Sequence, residues 1–210
     1  MIEIQEISKK FSGQVVLDKF SLTIDYSDKI ALIGPNGAGK TTLIRIILGH
    51  YQHNGSISVF GENPRKNRIH VLDHIGFVPQ YPPPIAMNIK ELVQFSAKIS
   101  KRSKVEKIYQ IADDLKLDIY SNEKKPFVKL SGGMKQKLLI ALALAKDPSL
   151  LIMDEPTANL DLEGREAFFL KLKNIPKETI IILSSHRSDE LLSLVNRIIE
   201  MNCGKIVVNK

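Results

Sequence analysis

One cysteine, Cys203, and no tryptophan occur among the 210 residues. A lone cysteine cannot close a disulfide within its own chain, so nothing calls for an oxidising compartment, and a cytosolic setting is expected. Long apolar runs are missing too. The longest, Leu138 to Ala145, falls far short of the ~20 residues a helix needs to cross a bilayer. The amino terminus, MIEIQEISKKF, alternates apolar and polar residues where a signal peptide would have a basic start and an apolar stretch, and it reads as a strand. No internal repeat or low-complexity tail is present. Charge of one sign is not concentrated either. A net charge of +7 permits an anionic partner, yet the basic residues are spread along the chain. The nearest cluster, Lys98, Lys101, Arg102, Lys104 and Lys107, is expected on a solvated helix face, and no nucleic-acid partner is expected.

What remains is ordinary globular material, with 43% apolar and 25% charged residues, enough for one compact unit or one core with an inserted lobe. Ile30 to Ile33, Leu150 to Met153 and Thr179 to Leu183 are continuous apolar runs, as in parallel strands buried on both faces. Phe20, Leu22 and Ile24 alternate with polar residues, as do Ile57 and Val59, predicting half-buried antiparallel strands. A closing hairpin is predicted in RIIEMNCGKIVV, turning near Asn202 to Gly204. From about residue 88 to 145 the period becomes helical, with Leu92, Phe95 and Ile99, then Ile108, Ile111 and Leu115. Three prolines in YPPPIAM stiffen the entry to that segment.

Chemistry enters with ALIGPNGAGKTTL. Gly34, Gly39, Lys40 and Thr41 fit G-x-x-x-x-G-K-[ST] between a buried strand and a helix, the context a phosphate loop needs. Over Gly34, Pro35, Asn36, Gly37, Ala38, Gly39, Lys40, Thr41 and Thr42 the main chain can curl around phosphates, every residue but Pro35 offering an N–H. Lys40 reaches the outer phosphates and the Thr41 hydroxyl offers a ligand to Mg²⁺. The order G-x-x-G-x-G is wrong for a dinucleotide fingerprint, which disfavours a nicotinamide enzyme. In LLIMDEP, an apolar strand ends in two carboxylates. Asp154 suits Mg²⁺, directly or through water, and Glu155 suits a base acting on water.

A second anion-binding turn follows at LSGGMKQK. Ser131 can cap a helix whose first N–H groups, with Gly132 and Gly133, carry partial positive charge.

Taken in order, GPNGAGKTT, VPQ, LSGGMKQK, LLIMDEP, ANLD and SSH resemble the ATP-binding cassette (ABC) ATPases over almost the whole chain. The resemblance implies an α/β fold: a P-loop NTPase core with a mainly parallel sheet, an N-terminal antiparallel β subdomain and an inserted α-helical subdomain. It implies a core lobe of residues 1–87 and 146–210 and a signature lobe of 88–145. ATP and Mg²⁺ are the implied ligands, with ATP hydrolysis the reaction. Two chains are implied to meet head to tail, each LSGG turn completing the site on the other chain's phosphate loop. Gln80 matches the residue that senses Mg²⁺ and the attacking water, and His186 the switch histidine at the γ-phosphate. Asn159, Leu160 and Asp161 match the loop that crosses the dimer interface. Phe11 stands where the family stacks an aromatic on adenine, and its π face suffices for that; the alternative is a core aromatic on an edge strand. Met134 replaces the usual glutamine after the two glycines. The expected partner is a separate permease holding the chain at the cytoplasmic face of a membrane, and the short chain leans toward export-type systems. Two cassettes in one chain, a long coiled coil and an N-K-x-D guanine motif are all lacking, which argues against translation, DNA-repair and GTPase roles.

Overall fold

A computed structural model describes residues 1–100, 102–185 and 193–210. The chain packs as two compact units, residues 1–72 with 177–210, and residues 73–176.

The first unit opens with β1 (Ile2–Phe11) and β2 (Gln14–Ile24). Strand β3 (Lys29–Ile33) leads into helix α1 (Lys40–Ile47), and β4 (Asn54–Val59) follows. An antiparallel sheet forms in the order β2-β1-β4. Its inward face is built from Ile2, Ile4, Ile7, Phe20, Leu22, Ile24, Ile57 and Val59, all buried. Strict alternation along β1 would turn Glu6 inward. A register shift between Ile4 and Ile7, with Glu6 at φ 48°, adds one residue and restores the apolar parity.

Helix α2 (Arg68–Asp73) carries the chain into the second unit. There β5 (Ile75–Val78) precedes three helices, α3 (Ile89–Ile99), α4 (Val105–Asp114) and α5 (Gly132–Leu144). Strand β6 (Leu150–Asp154) pairs in parallel with β5, and α6 (Leu162–Lys173) follows. Asn88 and Glu91 form a reciprocal capping box on α3, which explains the helix start directly after the proline-rich stretch. The chain then returns to the first unit as β7 (Ile180–Ser185), β8 (Arg197–Asn202) and β9 (Lys205–Asn209). Parallel β7 and β8 flank β3, and β9 closes the predicted antiparallel hairpin. Strand β7 is buried throughout, and Ile30, Ala31 and Leu32 of β3 likewise.

Two expectations are corrected. The basic cluster does not lie on one helix. Chain direction changes at Ser100, which is extended, and Arg102 instead donates to the Lys146 and Asp147 carbonyls, while Lys107 pairs with the Asp147 carboxylate. Lys101 lies outside the described residues. On α3 the buried stripe is Ile89, Leu92 and Val93, leaving Phe95 and Ile99 exposed. Among the described residues no helix is long and apolar enough to cross a membrane. The two-unit division is one of packing and does not follow the lobe boundaries at 87/88 and 145/146.

Candidate functional site

In the first unit the glycine loop leaves β3 and ends at Gly39, the N-cap of α1. Gly34 has φ 142°, and a Cβ there would fall 2.2 Å from the Met201 carbonyl oxygen, so no other residue fits without moving β8. The Ala38 N–H closes a turn onto the Pro35 carbonyl at 3.1 Å, and the Ala38 carbonyl accepts from Gly204 in the β8–β9 turn at 3.1 Å. The terminal hairpin therefore backs the loop, a role its strand pattern did not announce. Pro35, Asn36 and Gly37 remain exposed at the loop's rim. No side chain caps α1, and no acidic residue occupies its first turn, which holds Lys40, Thr41 and Thr42. Such a helix start keeps its N–H dipoles available to an anion. The Lys40 side chain is largely buried and folds back over the loop, Nζ donating to the Gly34 carbonyl at 2.6 Å and the Pro35 carbonyl at 3.2 Å.

Phe11 ends β1 and is 38% exposed, so it is not a core residue. Its ring meets Tyr51 edge to face at 5.2 Å, and the Lys9 ammonium lies 4.6 Å from its centroid. Arg45 on α1 donates to the Tyr51 hydroxyl at 2.7 Å. Tyr51 was missed by sequence reasoning, and only its aromatic side chain could have marked it.

In the second unit Asp154 is the last residue of β6 and Glu155 begins the turn after it; both are buried, at 4% and 8% exposure. Glu155 has φ 52°, a costly conformation for a residue with a Cβ. Gln80 stands half-buried two residues past β5. Ser131 caps α5 as expected, its hydroxyl accepting from the Met134 N–H at 3.2 Å.

The signature turn and the loop after β6 touch within this unit. A Cβ on Gly133 would stand 2.9 Å from the Asn159 carbonyl oxygen, so the second glycine lets the two backbones approach. Gln136 Nε2 donates to the Pro156 carbonyl at 3.2 Å. Lys137 Nζ lies 3.2 Å from Asp161 Oδ1, and Asp161 caps α6 by accepting from the Gly164 N–H at 3.0 Å. Hydrogen bonding from Lys137, then from that N–H, holds the Asp161 carboxyl below its ordinary range. Gln136 and Lys137 were not singled out in the sequence, although they sit inside LSGGMKQK. His186 lies outside the described residues.

Each unit carries hard oxygen donors of the kind Mg²⁺ takes: the Thr41 hydroxyl in the first, and the Asp154 carboxylate and Gln80 amide oxygen in the second. The uncapped α1 start and the buried Lys40 fit polyphosphate.

A glycine-bounded phosphate loop between strand and helix, inside an α/β fold, defines a P-loop nucleotide-binding protein. The family model for the ABC transporter matches residues 17–158, and the chain belongs to that family. It is 32% identical over 98% of its length to the "Fe(3+) ions import ATP-binding protein FbpC 2" of Pectobacterium atrosepticum. Identity to the "Sulfate/thiosulfate import ATP-binding protein CysA" of Bacillus cereus is 36%, also over 98%. The chain spans 61% and 60% of those two proteins' lengths. Among solved structures, an ATP-binding subunit of an ABC transporter superposes with a TM-score of 0.91 at 24% identity, covering 100% of this chain and 89% of that one. The dimeric bacterial cassette MJ0796 gives 0.85 at 22%, covering 100% and 98%. At those identities the two structures establish the fold alone.

Proposed function

We propose that this chain binds ATP with Mg²⁺, hydrolyses it to ADP and phosphate, and drives a separate membrane-spanning permease from the cytoplasmic face. The observation that carries the reading is an uncapped helix start behind a glycine loop, together with a second glycine-bearing helix start, capped by Ser131, in the same chain. One nucleotide does not need two such sites; two chains paired head to tail do. The MJ0796 cassette, named as dimeric, supports the pairing. In this reading residues 1–87 with 146–210 act as the core lobe and 88–145 as the signature lobe.

The main-chain N–H groups of Gly34 and of Asn36 to Thr42 hold the polyphosphate, and Lys40 exchanges its carbonyl acceptors for phosphate oxygens. By the family resemblance Thr41, Asp154 and Gln80 would hold Mg²⁺, which would supply charge neutralisation on the outer phosphates. Glu155 takes the proton of a water attacking the γ-phosphate in line, the bond to the bridging oxygen breaks, and ADP leaves. His186 contacts the γ-phosphate. Ser131, Gly132 and Gly133 bind the γ-phosphate of the nucleotide on the partner's loop. Phe11 stacks on adenine.

The export-type expectation rested on chain length and is dropped, since the relatives named above are import proteins and are longer. The test is phosphate release from ATP by the full chain, with ATP-dependent dimerisation followed by light scattering in the Glu155→Gln variant. A wild-type chain that neither binds nucleotide nor releases phosphate from ATP would overturn the reading.

A further inference from the structure

The side chain of Gln136 is completely buried, at 0% exposure, on the helix that begins at the signature turn. Nε2 donates to the Pro156 carbonyl, and proline has no N–H to offer, so the amide must face it with its nitrogen. The other end, Oε1, has no hydrogen-bond partner among the described residues. A buried amide with half its capacity unused costs folding free energy, and an apolar side chain of the same length would avoid that cost on its own side of the contact. Stability alone therefore does not account for a glutamine at this position.

Its partner's place in the chain does. Pro156 directly follows Glu155, whose backbone is held at φ 52°. Such a conformation persists only where the surroundings fix it. Two bonds bracket the strained residue: the Glu155 carbonyl accepts from the Ala158 N–H at 3.3 Å, and the Pro156 carbonyl accepts from Gln136. The first closes the turn on itself. The second ties it to a different element, α5.

We propose that Gln136 is a positioning residue for the reaction, holding the turn that aims the Glu155 carboxylate and linking that aim to the helix of the signature turn. In a head-to-tail pair, the signature of a chain serves the partner's nucleotide while its Glu155 serves its own. Gln136 thereby joins the two sites through one side chain. The inference rests on the reading of Glu155 as the base.

Steady-state and single-turnover hydrolysis by the full chain tests it, with wild type, Gln136→Met, Glu155→Gln and the double variant compared. Gln136→Met, which keeps the length and loses the donor, should lower kcat at least ~10-fold and leave KM and ATP affinity within ~2-fold. Combined with Glu155→Gln it should cost less than ~2-fold more, because there is no base left to misplace. A purely structural glutamine would lower both backgrounds alike, or weaken ATP binding, and either result overturns the proposal. So does an unchanged kcat in Gln136→Met. Should Gln136→Met fail to fold, Gln136→Glu replaces it. A buried carboxyl keeps a donor while protonated, so kcat should fall as pH rises through its titration, and a profile parallel to wild type would reject the role. If Glu155→Gln alone keeps wild-type turnover, the base assignment fails and the inference with it; if that variant is inactive and Gln136→Met is not, only the inference fails.

Discussion

The ammonium of Lys137 stands 3.2 Å from Asp161 Oδ1, and the two differ sharply in exposure, with side chains 9% and 68% accessible. Asp161→Asn leaves the ammonium in its buried place without its counter-charge, whereas Lys137→Met leaves the carboxylate in water. Asp161→Asn is therefore expected to lower the Tm more than Lys137→Met, contrary to what exposure alone would suggest. Differential scanning calorimetry of both variants decides the order.

The same pair has a pH signature. The folded-state pKa of Asp161 is depressed, so its contribution is fully present above the ordinary value near 3.8 and is lost as pH falls through the lower folded value. Asp118 and Glu123 shift in the same direction, the first through hydrogen bonding at Ser121 and the second through Tyr109 and Lys90. The acid limb of stability is shared among them. Asp161→Asn should flatten that limb in part, measured as the Tm difference between about pH 3 and pH 5. An acid limb unchanged from wild type would contradict the pairing.

Much of this was legible because the phosphate loop, DEP and LSGG are local: residues adjacent in the chain create each turn. The loop's helix start, the Ser131 cap and the buried Asp154–Glu155 tip all follow from short-range chemistry. What was not legible depends on distant partners. Periodicity marks an apolar stripe on α3 but cannot say which of two overlapping stripes finds a neighbour, and Phe95 and Ile99 turned out exposed. Tyr51 meets Phe11 only because β1 ends beside the connection that follows α1. Gln136 and Lys137 gain their roles from carbonyl and carboxylate groups about twenty residues further on.

Lys40 offers a cleaner test of the loop itself. Its ammonium bonds two carbonyls of the loop it follows, so Lys40→Ala should abolish hydrolysis and weaken ATP binding at least ~10-fold. Calorimetric titration with ATP, alongside the thermal midpoint, separates loss of phosphate charge from loss of fold. Unchanged ATP affinity would remove Lys40 from the site.

Glu155→Gln keeps the shape of the buried turn and removes the carboxylate proposed to accept the proton. ATP binding should persist while turnover falls at least ~100-fold. Wild-type turnover in that variant would sink the assignment.

The head-to-tail arrangement can be tested with two complementary defects. Ser131 accepts from the Met134 N–H at the start of α5, and an arginine there would both remove the cap and crowd the proposed anion site. A Ser131→Arg chain should still bind ATP through its own loop but fail to form the ATP-dependent dimer. Mixed with Lys40→Ala chains, it can build one composite site, joining its sound loop to the other chain's sound signature turn. The opposite site inherits both defects. In a Glu155→Gln background, which keeps the dimer from being lost to turnover, the mixture should hold at most one ATP per dimer, counted by nucleotide extraction from the dimer fraction. Two nucleotides per mixed dimer, or Ser131→Arg chains that dimerise with ATP as tightly as the Glu155→Gln control, would mean that the LSGG turn serves something other than a partner's nucleotide.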